Sequence, residues 1–160
     1  MGLTALRSAL TPTNGRAIVL WYLAVGAAAN LAWEIVQLPL YTIWRTGSPG
    51  ALAFAIAHCT VGDLLILTTV LLLALVAVGD AAWPSRGYGR VAVVTTILGA
   101  VFTVLSEWLN VEIWRSWAYA PAMPRLPPLG TGLAPLLQWL AIPPLALALA
   151  RLAATRGGRD

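Results

Sequence analysis

The chain has no lysine, one cysteine, one histidine, two phenylalanines and only six acidic residues among its 160. Each shortage removes a class of protein. A single cysteine leaves no disulfide framework and no CxxC pair for metal or redox work. Charged residues make up 10% of the chain, where soluble domains carry about 25%, so a solvated globular surface is not on offer. All ten basic residues are arginine. They are scattered over connections and tails with no basic cluster, so the pI near 10.0 does not point to nucleic acid as a partner. The absence of lysine, beside abundant Ala, Leu, Gly and Pro, reads as the codon signature of a GC-rich bacterial genome.

What the chain has in plenty is apolar surface. Hydrophobic residues reach 59% and the mean hydropathy is +0.80, a composition that suits an integral membrane protein. The eight Trp and four Tyr agree, since amphipathic rings favour membrane–water interfaces. Crossing roughly 30 Å of hydrocarbon takes ~20 helical residues. Four segments satisfy this, at about 17–40, 52–78, 91–114 and 133–152, and they predict an all-α, four-helix transmembrane bundle forming one domain over residues 1–160. The connections "YTIWRTGSPGA", "GDAAWPSRGYGR" and "RSWAYAPAMPRLPPLGTG" carry the Gly, Pro and Arg of turns outside the bilayer. The last is long and Pro-rich, which predicts an ordered cap and not a fifth span. "RAIVLWYLAVGAAAN" also reads as a signal peptide ending at Ala29, but the apolar run continues through "LAWEIVQLPL", and a full span suits it better.

In this topology the first and third spans run one way and the second and fourth the other. Glu34 lies late in the first span and His58 early in the second. Glu107 and Asn110 lie late in the third, and Gln138 early in the fourth. Each is about two turns from the same end of the bundle, on the order of 10 Å deep at 1.5 Å per residue, and Asp63 is deeper. Asn30, Glu34 and Gln37 share a helix face at i, i+4, i+7, and so do Thr103, Glu107, Asn110 and Trp114. His58 and Asp63 are five apart, roughly 140° around an ideal helix, so both reach one site only if the helix loosens at Gly62. "EIVQLPLYTIWR" and "EWLNVEIWR" each read Glu, two residues, an amide, then Ile-Trp-Arg. This is a weak match, compatible with two pseudo-repeated hairpins that place Glu34 and Glu107 opposite one another.

Three of the six acids thus lie inside spans, where an ionisable group costs at least ~2.5–3.5 kcal/mol near a helix centre. Each should face the bundle interior and find a partner, and a proton-sharing carboxyl cluster is the physical expectation. Plain readings stand beside this one. Glu34 with Gln37 also serves as interhelical hydrogen-bonding glue, and His58 as a neutral, satisfied imidazole. Cys59 reads as packing, Glu112 as an ion pair with Arg115, and Tyr119, Trp44, Trp114 and Trp117 as interfacial anchors. Pro143-Pro144 should kink the fourth span and open space. Neither HExxH, GxSxG, a phosphate-cradling glycine loop nor an EF-hand occurs, and the paired-aspartate motifs of the similarly sized lipoprotein signal peptidases are absent.

The leading expectation is a small membrane enzyme. Glu34, Asp63 and Glu107 would act as acid and base, with His58 tuning or relaying the proton. Asn30, Gln37, Asn110, Gln138, Trp33 and Trp108 would line a pocket for a lipid-like or isoprenoid substrate taken from the bilayer. The sequence requires no cofactor; one variant adds a divalent metal held by His58, Asp63 and Glu107. A proton or cation carrier is the second reading, needing a homo-oligomer to supply enough helices. A non-catalytic subunit with a polar packing layer is the third.

Arginine placement orients the chain in a bacterial inner membrane. Arg7, Arg16, Arg86, Arg90, Arg151, Arg156 and Arg159 fall on one side, against Arg45, Arg115 and Arg125 on the other. The positive-inside rule then makes both termini cytoplasmic and puts the polar layer in the outer leaflet. Reporter fusions at Asp160 and within the 121–128 segment should report opposite sides, with the C-terminal fusion cytoplasmic; a periplasmic signal from Asp160 would invert the topology.

Overall fold

The computed structural model describes residues 2–10 and 14–156; Arg159 and Asp160, used above, lie outside them. Its helices are α1 (Gly2–Leu10), α2 (Asn14–Gln37), α3 (Ile43–Thr46), α4 (Pro49–Val78), α5 (Tyr88–Trp108) and α6 (Leu133–Arg156). Among the described residues, four stretches are long and apolar enough to cross a membrane: Gly15–Leu40, Pro49–Val78, Tyr88–Ile113 and Leu133–Arg156. They match the spans read from the sequence to within about a turn at each end. The chain is a multi-pass, all-α bundle that rises through α2, descends through α4, rises through α5 and descends through α6. Both α2 and α5 pack against α4 and α6, so α2 and α5 face each other across the diagonal. That is the placement expected of two hairpins related by an axis along the membrane normal.

Local chemistry sets the boundaries. At the start of α4, the Ser48 hydroxyl accepts from the Ala51 N–H at 3.2 Å, and Pro49 fits the first turn, where its missing N–H costs nothing. At its other end the Gly79 N–H closes on the Leu75 carbonyl. Pro39 ends α2 in a 3₁₀ turn, Leu38–Leu40, and Gly87, at φ 73°, opens α5 from the left-handed region that glycine enters freely. Beyond Trp108, α5 widens into a π-helical turn, Leu109–Ile113. Helix α6 continues through Pro143 and Pro144, with Pro143 fully buried in the packing. The opening expected at this pair is therefore occupied by neighbouring side chains.

The bundle is more apolar outside than in. Val36 is 77% exposed while the adjacent Gln37 is 5% exposed, and Val61 is 61% exposed while Asp63 is 9% exposed. Leu31, Ile35, Phe54, Leu65, Ile97, Val101 and Leu105 also face outward. In water this arrangement would leave large apolar areas wet. In hydrocarbon it is solvated by lipid tails.

The interior divides along its length. Toward the chain termini the core is apolar, with Ile18, Tyr22, Leu67, Leu71, Leu75, Val91, Leu147 and Ala150 in one cluster. At this end Tyr88 donates to the Leu147 carbonyl and Arg151 lies over the Tyr88 ring, 4.8 Å from its centroid. The buried face of α5 reads Val91, Thr95, Gly99, Thr103, Glu107, a strict four-residue repeat that turns polar as it climbs. Gly99 is where α6 comes closest: any Cβ there would enter the ring of Trp139. Small residues allow such approach between membrane helices.

The connection after α5 forms the expected ordered cap. Tyr119 pairs with Tyr41 in an antiparallel bridge, closed by Thr42 N–H to Ala118 O and Ala120 N–H to Leu40 O, both 2.9 Å. Further on, β1 (Arg125–Leu126) and β2 (Thr131–Gly132) make a small hairpin that turns at Gly130, φ 70°. The cap covers the polar end of the bundle.

The Gly99 contact yields a stability prediction. Gly99→Ala should cost about 1–3 kcal/mol, the usual range for overpacking, and appear as a lower melting temperature in detergent. Combined with Trp139→Leu it should cost less than the sum of the two single changes, because the collision partner is gone. Strict additivity would mean that the two residues do not touch.

Candidate functional site

Inside the polar half, α2, α4 and α6 each contribute to one hydrogen-bonded group. From α2 come Asn30, Glu34 and Gln37, which occupy the buried face their spacing implies. From α4 comes Asp63 and from α6 Gln138, which is 2% exposed. Gln138 is the junction. Its amide nitrogen lies 2.8 Å from Asn30 Oδ1, 2.9 Å from Asp63 Oδ2 and 3.2 Å from Glu34 Oε1. Gln37 donates to Glu34 Oε1 at 2.7 Å and to Gln138 Oε1 at 3.3 Å. Trp33 donates to Gln37 Oε1 at 3.2 Å, and Asn30 fixes its own orientation by donating to the Gly26 carbonyl.

A count of protons makes the group informative. Each amide NH₂ has two hydrogens to give and a carboxylate only accepts. Gln138 therefore has fewer protons than acceptors around it. The Glu34 and Asp63 carboxyls both lie within reach of the Gln138 amide nitrogen, which brings the two acids into one hydrogen-bonded group.

Glu107 forms a second acidic point on α5, across the bundle from α2. It is buried, and its Oε2 accepts a hydrogen bond from the Tyr119 hydroxyl. That hydroxyl accepts in turn from the Gly132 N–H at 2.8 Å. The indole N–H of Trp117 approaches the Glu107 carboxylate without closing a hydrogen bond of ordinary geometry. Burial first, and the Glu107 charge second, push the Tyr119 pKa above the usual phenol range, so the phenol keeps its proton at neutral pH. The Tyr41 ring lies 5.5 Å from that of Tyr119, and its pKa is raised the same way, by burial and then by Glu107. Around the Tyr119 ring the cap leaves a groove of about 370 Å³, lined by Val111, Glu112, Ala118, Pro121, Met123 and Arg125 among others.

Several expectations change. His58 is exposed and stacks on Phe54, centroids 5.5 Å apart, on the outer surface of α4. The reason is helical phase: α4 stays regular through Gly62, so the roughly 140° between His58 and Asp63 is never absorbed. His58, Asp63 and Glu107 thus do not gather as a metal site, and no group of three His, Cys, Asp or Glu side chains suited to a metal forms among the described residues. Asn110 is half-buried and donates to the Ser106 carbonyl at 2.9 Å, away from Gln138. The π turn widens the helix at this point and carries Asn110 and the exposed Trp114 out of phase with Glu107. Trp108 is half-buried beside Glu107 in sequence. Glu112 pairs with Arg125 at 3.0 Å instead of Arg115. Tyr119, expected as an interfacial anchor, is Glu107's partner; nothing local in the sequence marks it, because the contact depends on the path of the cap.

Comparison with known proteins gives no match: no family model, no curated protein and no solved structure aligns significantly with this chain.

The Gln138 junction can be tested apart from any activity. Gln138→Leu strands Asn30, Asp63 and Glu34 without their shared donor and should cost about 1–3 kcal/mol. His58→Ala on the outer surface should stay within about 0.5 kcal/mol of the parent. Melting curves in detergent decide it: equal midpoints for the two variants would show that the junction contributes nothing.

Proposed function

We propose that this protein is a small integral membrane enzyme performing acid–base chemistry on a lipid-like substrate. The carrying observation is the pair of acidic points at one end of the bundle. Glu34 and Asp63 meet at the Gln138 amide, and Glu107 is joined through Tyr119 to the cap groove. Two such points divide the labour that proton-transfer reactions require, one group giving and another taking. Tyr119 lines the groove with Glu107 buried behind it, and the two are the candidate reacting pair. In this reading Tyr119 takes a proton from substrate as it hands its own to Glu107 Oε2, and the reverse transfer, Glu107 to Tyr119 to substrate, returns it. The Gly132 N–H stabilises whatever negative charge develops on the phenolic oxygen. Glu34 and Asp63 act as the reservoir, and Gln37, Gln138 and Asn30 hold them in place.

The apolar exterior supports a substrate arriving from the bilayer. The arginine asymmetry supports a bacterial inner membrane with both termini cytoplasmic and the site toward the outer leaflet.

A second reading rests on the same junction. Gln138 binds groups on the neighbouring α2 and on α4 across the bundle, as a polar seam would if its only task were to fix helix register. This would make the protein a non-catalytic membrane subunit.

Amide isosteres separate the two. Glu34→Gln, Asp63→Asn and Glu107→Gln keep size and hydrogen bonding but remove the ionisable proton. The enzyme reading expects folding to survive while activity falls by ~10²–10⁴-fold, the usual worth of a general acid or base. Cys59→Ala should be nearly silent. The assay is complementation or product formation in variants whose melting matches the parent. Full activity in all three amide variants would leave only the seam.

A further inference from the structure

The groove beneath the cap carries one cation and one anion side by side. Arg125 and Glu112 line it, paired at 3.0 Å, with each side chain about half exposed. Arg125 lies over the Tyr119 ring, 5.0 Å from its centroid. The turn at Gly130 runs beside the pair: a Cβ at that position would lie in ordinary contact with Glu112 Oε1, at 3.5 Å. On the other side of the hairpin lies an apolar cleft of about 150 Å³, lined by Val104, Leu126, Pro127, Leu129 and Leu136 among others. Successive strand residues point to opposite faces, so β1 sends Arg125 to the charged groove and Leu126 to the apolar cleft. The hairpin is thus amphipathic across its thickness, at the bundle end where spans meet headgroups.

This charge pattern discriminates among lipids. A purely anionic phosphate would meet Arg125 but also Glu112 beside it. A headgroup holding phosphate and ammonium a short ethylene bridge apart matches both. We propose that the hairpin groove binds the headgroup of a zwitterionic aminophospholipid, phosphate on Arg125 and ammonium on Glu112, with the start of an acyl chain in the cleft of Leu126 and Leu136. The primary ammonium matters because it donates hydrogen bonds to a carboxylate, which a quaternary ammonium cannot. Bound this way, the headgroup lies against Tyr119, whose hydroxyl is on Glu107. The inference rests on the enzyme reading for calling this lipid the substrate class; the binding itself stands without it.

The test reads binding without turnover. The protein is reconstituted into nanodiscs containing equal phosphatidylethanolamine, phosphatidylglycerol and phosphatidylcholine, and the lipids retained on release are counted by native mass spectrometry. Phosphatidylethanolamine should be enriched over both others. Glu112→Gln should lower its ratio to phosphatidylglycerol by about tenfold, the worth of one charge-assisted contact. Arg125→Gln should reduce retention of all three phospholipids. Arg45→Gln, another arginine at this end, should change nothing. Equal retention by the parent, an enrichment that survives both groove variants, or a preference for phosphatidylglycerol would each overturn the proposal. If the amide variants lose activity while the parent shows no headgroup preference, this inference fails and the enzyme reading stands. Clear enrichment with full activity in the amide variants reverses that outcome.

Discussion

A polar side chain inside a bilayer has no water to fall back on, and Gln138 is where this protein meets that constraint. One amide nitrogen reaches Asn30 and Glu34 on α2 and Asp63 on α4, so two helices settle their polar groups against a single residue of a third. The apolar half of the bundle packs with few such demands, because Leu71, Leu75 and Leu147 can adjust by small shifts. Hydrogen bonds cannot adjust in that way. The register of α2, α4 and α6 is therefore set at the polar end and propagated into the apolar end.

The same constraint explains why the acids occur where they do. A lone carboxylate at this depth would be expelled or neutralised. Glu34 and Asp63 tolerate the position together, supplied with donors from Gln37 and Gln138, and Glu107 tolerates it through Tyr119. The two arrangements differ in access. The first is enclosed by helices; the second is tied to a cap whose other face is open.

Much of this was legible in the sequence, for reasons that differ by element. The spans follow from hydropathy summed over twenty or so residues, a signal that no single substitution hides. The inward faces of Asn30, Glu34 and Gln37 follow from the period of a straight helix. Where helix geometry departs from the ideal, that reasoning fails, as at Asn110 beyond the π turn. His58 failed for the opposite reason: a loosening at Gly62 was needed and α4 is regular. The partnerships of Tyr119 with Glu107 and of Arg125 with Glu112 lie in the folded path of the cap. They join residues 12 and 13 apart across an irregular segment, where sequence periodicity carries no information.

The bridge between Tyr41 and Tyr119 has a mechanical consequence. Its two backbone hydrogen bonds fasten the cap to the chain just beyond α2, and one turn back along that chain lies Gln37, the donor to Glu34. Cap and helix end thus form a single lever. The helix end that carries Gln37, and with it a donor to Glu34, is tied through backbone hydrogen bonds to the segment that carries Tyr119, Glu107's partner.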